Sequence, residues 1–168
     1  MNRIVTGILC LAINFFHHTL FNPFASAEDW PVYRGPDRNG ISKEKDWSDQ
    51  WPASGPTIAW RSKVGIGFSS VTIANGKLYT LGYTDDHESV LCLDAKTGQA
   101  IWKHDYEAPL EDRFFEGGPT STPTIDGERL YSLSRQGELF CFEASSGKII
   151  WAKNIQQEVG SRIPGWGF

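Results

Sequence analysis

From residue 69 onward, short runs rich in Val, Ile, Leu, Tyr and Trp alternate with clusters of Gly, Asn, Asp and Ser. That punctuation predicts strands joined by hairpins rather than helices. Four strands are predicted in each of two successive units. In the first they lie near Ser69–Ala74, Leu78–Tyr83, Ser89–Asp94 and Gln99–Tyr106; in the second, near Thr122–Ile125, Leu130–Ser134, Leu139–Glu143 and Lys148–Asn154. The two units are also similar residue by residue. Residues 72–81 align without gaps on 124–133, and Leu91–Trp102 aligns on Phe140–Trp151. The length difference falls in the polar turn, Gly82–Val90 against Ser134–Leu139. A period of roughly fifty residues with its variation confined to a turn marks a stacked supersecondary unit. One further strand is expected near Ile58–Val64, with Trp60 in the position that the unit tryptophans hold, and a short turn of helix at Trp47–Trp51, ended by Pro52. The fold class predicted is all-β: two four-stranded antiparallel blades plus one extra N-terminal strand, an incomplete β-propeller.

The connecting turns support this architecture. In Asp94–Gly98 the Asp94 carboxylate can accept from N–H groups just downstream, and Gly98 permits the positive φ that closes the hairpin. Trp102 then falls on the last strand, with a large apolar face to bury against a neighbouring blade. The second unit repeats the device with Glu143, Gly147 and Trp151 but lacks the Asp and the Thr equivalent to Thr97. Its turn is expected to be weaker.

The N-terminal stretch differs in kind. Arg3, the apolar run Ile4–Ile13 and the sequence Ala25-Ser26-Ala27 have the layout of an export signal cleaved between Ala27 and Glu28. Domain boundaries follow: signal peptide 1–27, leader 28–56, partial propeller 57–168, with blades near 69–107 and 121–156. The apolar run is interrupted by Asn14, His17, His18 and Asn22, so no membrane span is encoded. Export places the chain in an oxidising periplasmic or extracellular space. Of the three cysteines, Cys10 leaves with the signal, while Cys92 and Cys141 sit at the same point of two successive units. They read as buried small residues rather than a disulfide.

The remaining composition narrows the function. The chain is 40% hydrophobic and 13% aromatic, which excludes disorder as its default state. A net charge of −4 with no basic cluster argues against nucleic-acid binding.

At Asp94–Trp102 the sequence resembles the tryptophan-docking motif of pyrroloquinoline-quinone-type (PQQ-like) β-propellers, and Glu143–Trp151 resembles a degenerate copy. The leader Asp29–Gly40 and the segment Arg113–Thr120 resemble exported bacterial PQQ-like repeat proteins, relatives of the outer-membrane assembly propeller. The resemblance implies the propeller fold, with Asp94, Thr97, Gly98, Trp102, Glu143, Gly147 and Trp151 as structural blade-docking residues. It does not imply one activity, because the superfamily includes both quinone enzymes and non-catalytic scaffolds.

Quinone dehydrogenases of this fold carry two adjacent cysteines against the quinone and carboxylates holding Ca²⁺; Cys92 and Cys141 are not adjacent, and no oxygen-rich grouping stands out. No catalytic, metal or cofactor-binding residue is therefore assigned. The run Asp85-Asp86-His87-Glu88 reads as a solvated turn, and His104 as a packed or rim histidine rather than a base or metal ligand. Residues 110–122 connect the two blades, and such connections line one end of a propeller. Here Arg113, Phe114, Phe115 and Glu116 form the candidate ligand or partner loop. In the structural alternative the two phenylalanines plug the seam and Arg113 pairs with Glu111, Asp112 or Glu116. The seven tryptophans could suggest sugar stacking, but Trp60, Trp102 and Trp151 recur in last-strand positions that packing explains.

These readings favour an exported, non-catalytic binding or scaffold module of the cell envelope, with a protein or envelope partner and no cofactor. The alternative is a fragment of a quinone-dependent oxidoreductase, in which case PQQ and Ca²⁺ enter; a truncated, non-functional product is a third reading. A ring of about four blades needs roughly 200 residues, so the chain is expected to be the N-terminal part of a longer propeller, and to self-associate through exposed blade edges.

Overall fold

A computed structural model describes residues 27–45 and 47–168. The expected export signal, with Cys10, His17 and His18, lies outside the described residues except for Ala27.

Among the described residues, eight strands form two sheets. The first sheet comprises β1 (Thr72–Ala74), β2 (Lys77–Thr84), β3 (His87–Asp94) and β4 (Ala100–Glu107); the second comprises β5 (Thr124–Asp126), β6 (Arg129–Leu133), β7 (Glu138–Glu143) and β8 (Ile149–Asn154). Each sheet is antiparallel in chain order, β1-β2-β3-β4 and β5-β6-β7-β8. All eight predicted strands are present, with boundaries shifted by one to a few residues.

The repeat extends to the register. Cys92 lies opposite Tyr79 and Trp102, and Cys141 opposite Tyr131 and Trp151. Each sheet carries a register shift immediately after its cysteine, between Cys92 and Leu93 and between Cys141 and Phe142. The second sheet's short hairpin turns through Ser134 to Gly137, whereas the first turns at Asp85 and Asp86, both at positive φ, a geometry in which Asp is among the residues preferred at a tight hairpin.

Alternation places one face of the first sheet against the second. Tyr79, Leu81, Val90 and Cys92 from the first meet Leu130, Phe140, Phe142 and Ala144 from the second, with Trp102 and Tyr106 packed on the same cluster. This shared core explains why a single unit, too thin to bury its own face, comes as a stacked pair. Cys92 and Cys141 are both buried free thiols, and Cys92 belongs to this cluster.

Three expectations are corrected. The strand near Ile58–Val64 does not form; pairing to the edge of β2 beyond the short β1 is confined to Ile66, which exchanges backbone bonds with Tyr83 at 2.8 and 3.0 Å. Close packing of this segment relies on a missing side chain, since a Cβ on Gly82 would lie 1.5 Å from the Val64 carbonyl oxygen. Residues 47–51 form no helix, and Trp47 and Trp51 are exposed. A five-residue helix not predicted from the sequence, α1 (Ile155–Val159), follows β8. Asn154 caps it by accepting from Gln157 N, and Gly160 ends it at φ 64°.

The leader contributes to the fold without adding a strand. Trp30 exchanges two backbone bonds with Ile73 on the open edge of β1, and Pro31 O accepts from Ile125 N in β5. The leader thus ties the first, edge strands of the two sheets together.

Candidate functional site

Antiparallel topology separates two ends. The turns at Asn75-Gly76, Asp94–Gly98, Gly127 and Glu143–Gly147 lie at one end, and the β2–β3 and β6–β7 hairpins, the 108–123 connection and α1 at the other.

At the first end, Asp94 organises its turn. Its Oδ1 accepts from Lys96 N, Thr97 N and Thr97 Oγ1 at 3.0, 2.7 and 2.8 Å. These bonds to the ionised form, that from the Thr97 hydroxyl foremost, hold its carboxyl below the usual Asp range. Among the described residues, the Glu143 side chain receives only the Ser146 hydroxyl. Both turns nevertheless present the same seat. Gly98 and Gly147 are at φ 71° and 72°, and a Cβ on either would fall within 2.6 Å of an indole, that of Trp60 over Gly98 and that of Trp102 over Gly147. The indole nitrogens complete the match, since Trp60 Nε1 donates to Ala95 O at 3.1 Å and Trp102 Nε1 to Ala144 O at 2.9 Å. Each tryptophan therefore sits on the turn of the unit that follows it in sequence. Trp151, the third in the series, packs on Tyr131 of its own sheet, as Trp102 does on Tyr79.

Behind this seat, burial raises both the Tyr79 hydroxyl, which donates to Ala144 O, and the Cys92 thiol, the latter to about 11. Neither is poised to ionise near neutral pH.

At the other end the candidate loop is more open than either sequence reading required. Arg113 and Glu116 are exposed, and among the described residues neither Arg113 nor Glu116 forms an ion pair; the expected local pairing of Arg113 is replaced by its guanidinium lying 5.8 Å from the Phe114 ring centre. Phe114 does not plug the seam; it is 53% exposed and packs 4.7 Å from Trp166, itself 65% exposed. Phe115 is the anchored member, edge-on to Phe68 at 5.2 Å and covered by the Arg135 guanidinium at 4.9 Å.

Sequence reasoning missed Arg135, Trp166 and the burial of Glu88. Glu88 was grouped with the solvated turn, yet it is 2% exposed and accepts from Tyr106 Oη at 2.6 Å. Burial raises its carboxyl above the ordinary Glu value, and Glu138 across the seam adds to the effect while Arg135 offsets part of it. Strand alternation held the available signal, since Glu88, Val90 and Cys92 fall on one face. His104 also faces the seam, between Tyr106, Phe140 and Phe142, and desolvation lowers its pKa.

Cys92 and Cys141 lie in different sheets, and among the described residues no three His, Cys, Asp or Glu side chains gather where they could hold a metal ion. Also among the described residues, no helix is long and apolar enough to cross a membrane.

The family described as outer membrane protein assembly factor BamB matches residues 86–164. Over those residues the chain is similar to the repeats of that family. A curated relative, the outer membrane protein assembly factor BamB of Nitrosomonas eutropha, is 27% identical over 127 residues, covering 74% of this chain; the chain spans 29% of that relative's length. The quinohemoprotein alcohol dehydrogenase of Comamonas testosteroni shares the fold at a TM-score of 0.51 and 19% identity, over 77% of this chain and 20% of that one. BamB of Moraxella catarrhalis gives 0.44 at 20% identity, over 58% and 27%. Likeness at this level of identity speaks to fold alone.

Proposed function

We propose that the chain is a non-catalytic binding module of an exported envelope protein, and that it presents the Arg113–Glu116 loop to a protein partner. The observation that carries this reading is the exposed pair Phe114 and Trp166 beside the Arg113 guanidinium, supported from beneath by Phe115, Phe68 and Arg135. Aromatic and arginine side chains on a rigid base are the groups that dominate protein interfaces. The match to outer membrane assembly factors supports a partner in the bacterial envelope. Export through the signal at residues 1–27, and the periplasm as destination, belong to the same proposal, as does the absence of any cofactor requirement.

A photo-crosslinking residue at Trp166 or Phe114, in cells expressing the full chain, is expected to capture a discrete envelope protein, and Arg113→Glu to reduce the yield at least about fivefold. Crosslinking that is diffuse and insensitive to Arg113→Glu overturns the reading. Dye reduction on adding quinone, Ca²⁺ and an alcohol to the purified chain would favour the oxidoreductase alternative instead.

A further inference from the structure

The leader is fastened from residue 28 onward. Glu28 N donates to Glu44 Oε1 at 2.6 Å, Asn75 N lies 3.2 Å from both carboxylate oxygens of Asp29, Trp30 exchanges its two backbone bonds with Ile73, and Pro31 O accepts from Ile125 N at 2.8 Å. Each of these consecutive residues holds a different part of the chain, and Trp30 and Pro31 reach the first strands of the two sheets. The turn that follows brings Glu44 back to residue 28. Gly35, at φ 78°, donates to Val32 O and lies so close to the Trp30 indole that a Cβ would come within 2.6 Å of the ring, while Lys43 pairs with Asp37. The first member of this series is also the residue that follows Ala25-Ser26-Ala27.

In the unprocessed chain the Glu28 nitrogen is an uncharged amide with one hydrogen to give. Hydrolysis of the Ala27–Glu28 bond changes its charge. Water supplies a hydroxyl to the Ala27 carbonyl carbon and a hydrogen to the Glu28 nitrogen; Ala27 leaves as a carboxylate, and the proton it releases makes the new amine an ammonium below a pKa of about 8. We propose, resting on the export reading, that this ammonium pairs with the Glu44 carboxylate, so that removal of the signal tightens the clasp that the leader forms across the two sheets. The geometry is set in advance, since donor and acceptor stand 2.6 Å apart before the new charge appears, and the added charge turns a hydrogen bond into an ion pair. The neighbouring charges are the carboxylates of Glu28 and Asp29, which favour a cation here, and Lys43, whose ammonium is engaged by Asp37.

Mass spectrometry of the chain recovered after export, followed by hydrogen exchange, tests it. The N-terminus is expected at Glu28. In the processed chain the Ile73 and Ile125 amides, which donate to Trp30 O and Pro31 O, are expected to be about two- to fivefold better protected than in the same protein acetylated on its α-amine, which keeps one N–H but loses the charge. Glu44→Gln retains an acceptor oxygen and is expected to erase the difference. Alkaline pH should erase it too: pairing raises the folded pKa of the amine above its unfolded value of about 8, so the contribution is full below that value and is lost as pH rises through the folded one. Equal protection with and without acetylation overturns the proposal while leaving the processing reading in place, as does a difference that survives Glu44→Gln. An N-terminus at any residue other than Glu28 overturns both.

Discussion

The Trp102 indole lies so close to Gly147 that a Cβ on that glycine would come within 2.6 Å of its ring, while Nε1 of the same indole donates to Ala144 O at 2.9 Å. One sheet's last strand is thereby seated on the next sheet's last turn, and the absence of a side chain makes the seat.

Gly147→Ala therefore combines two costs. The positive φ of 72° costs about 1–2 kcal/mol for a residue with a Cβ, and the overlap with Trp102 adds about 1–3 kcal/mol. Gly127→Ala, at φ 57° with open space around it, carries only the first. Urea unfolding of both variants should separate them by the overlap, and in a Trp102→Ala background the separation should vanish. Equal losses in the two glycine variants would refute the seat.

Asp94 should stabilise the fold most strongly when ionised. Its pKa is depressed in the folded state, so its contribution is present above the unfolded Asp value of ~3.9 and disappears as pH falls through the lower folded value. Asp94→Asn is expected to flatten that acid limb. Unfolding midpoints measured from about pH 5 downward check it, and a limb as steep as that of the unsubstituted chain refutes it.

Glu88 has the opposite sign. Its folded pKa is raised by burial, so the folded state holds the proton more tightly, and stability falls as pH climbs from the unfolded value of ~4.3 through the folded one. Glu88→Gln keeps an acceptor for Tyr106 and removes the buried charge. The stability of this variant relative to the unsubstituted chain should rise across that interval and then level off.

His104 is expected to make the seam sensitive to mild acid. Desolvation lowers its folded pKa beneath the unfolded value of ~6.5, so stability is lost as pH drops from ~6.5 toward the folded value. Packing among Tyr106, Phe140 and Phe142 makes His104→Phe the informative variant, because an apolar ring suits the same surroundings. That variant should lose the pH dependence in this interval, read by thermal unfolding at a series of pH values.

The sequence by itself determined the strands, their order and the repeat, because each is written in short-range terms: alternation with period two, turn residues at Asp94–Gly98 and Glu143–Gly147, and two copies that align. It also identified Gly98, Trp102, Gly147 and Trp151 as a set. Which indole meets which glycine was not legible, since Trp102 and Gly98 are neighbours in sequence while Trp102 and Gly147 become neighbours only when one sheet stacks on the other. The same stacking decided that Glu88 is buried although it adjoins a polar turn, that Arg135 of the β6–β7 hairpin covers Phe115 of the connection between the sheets, and that Phe114 faces outward beside Trp166. The Ile58–Val64 segment failed as a strand for a related reason: local propensity supplies a candidate, but a strand exists only where another edge offers its N–H and C=O groups, and pairing of that kind belongs to the tertiary structure.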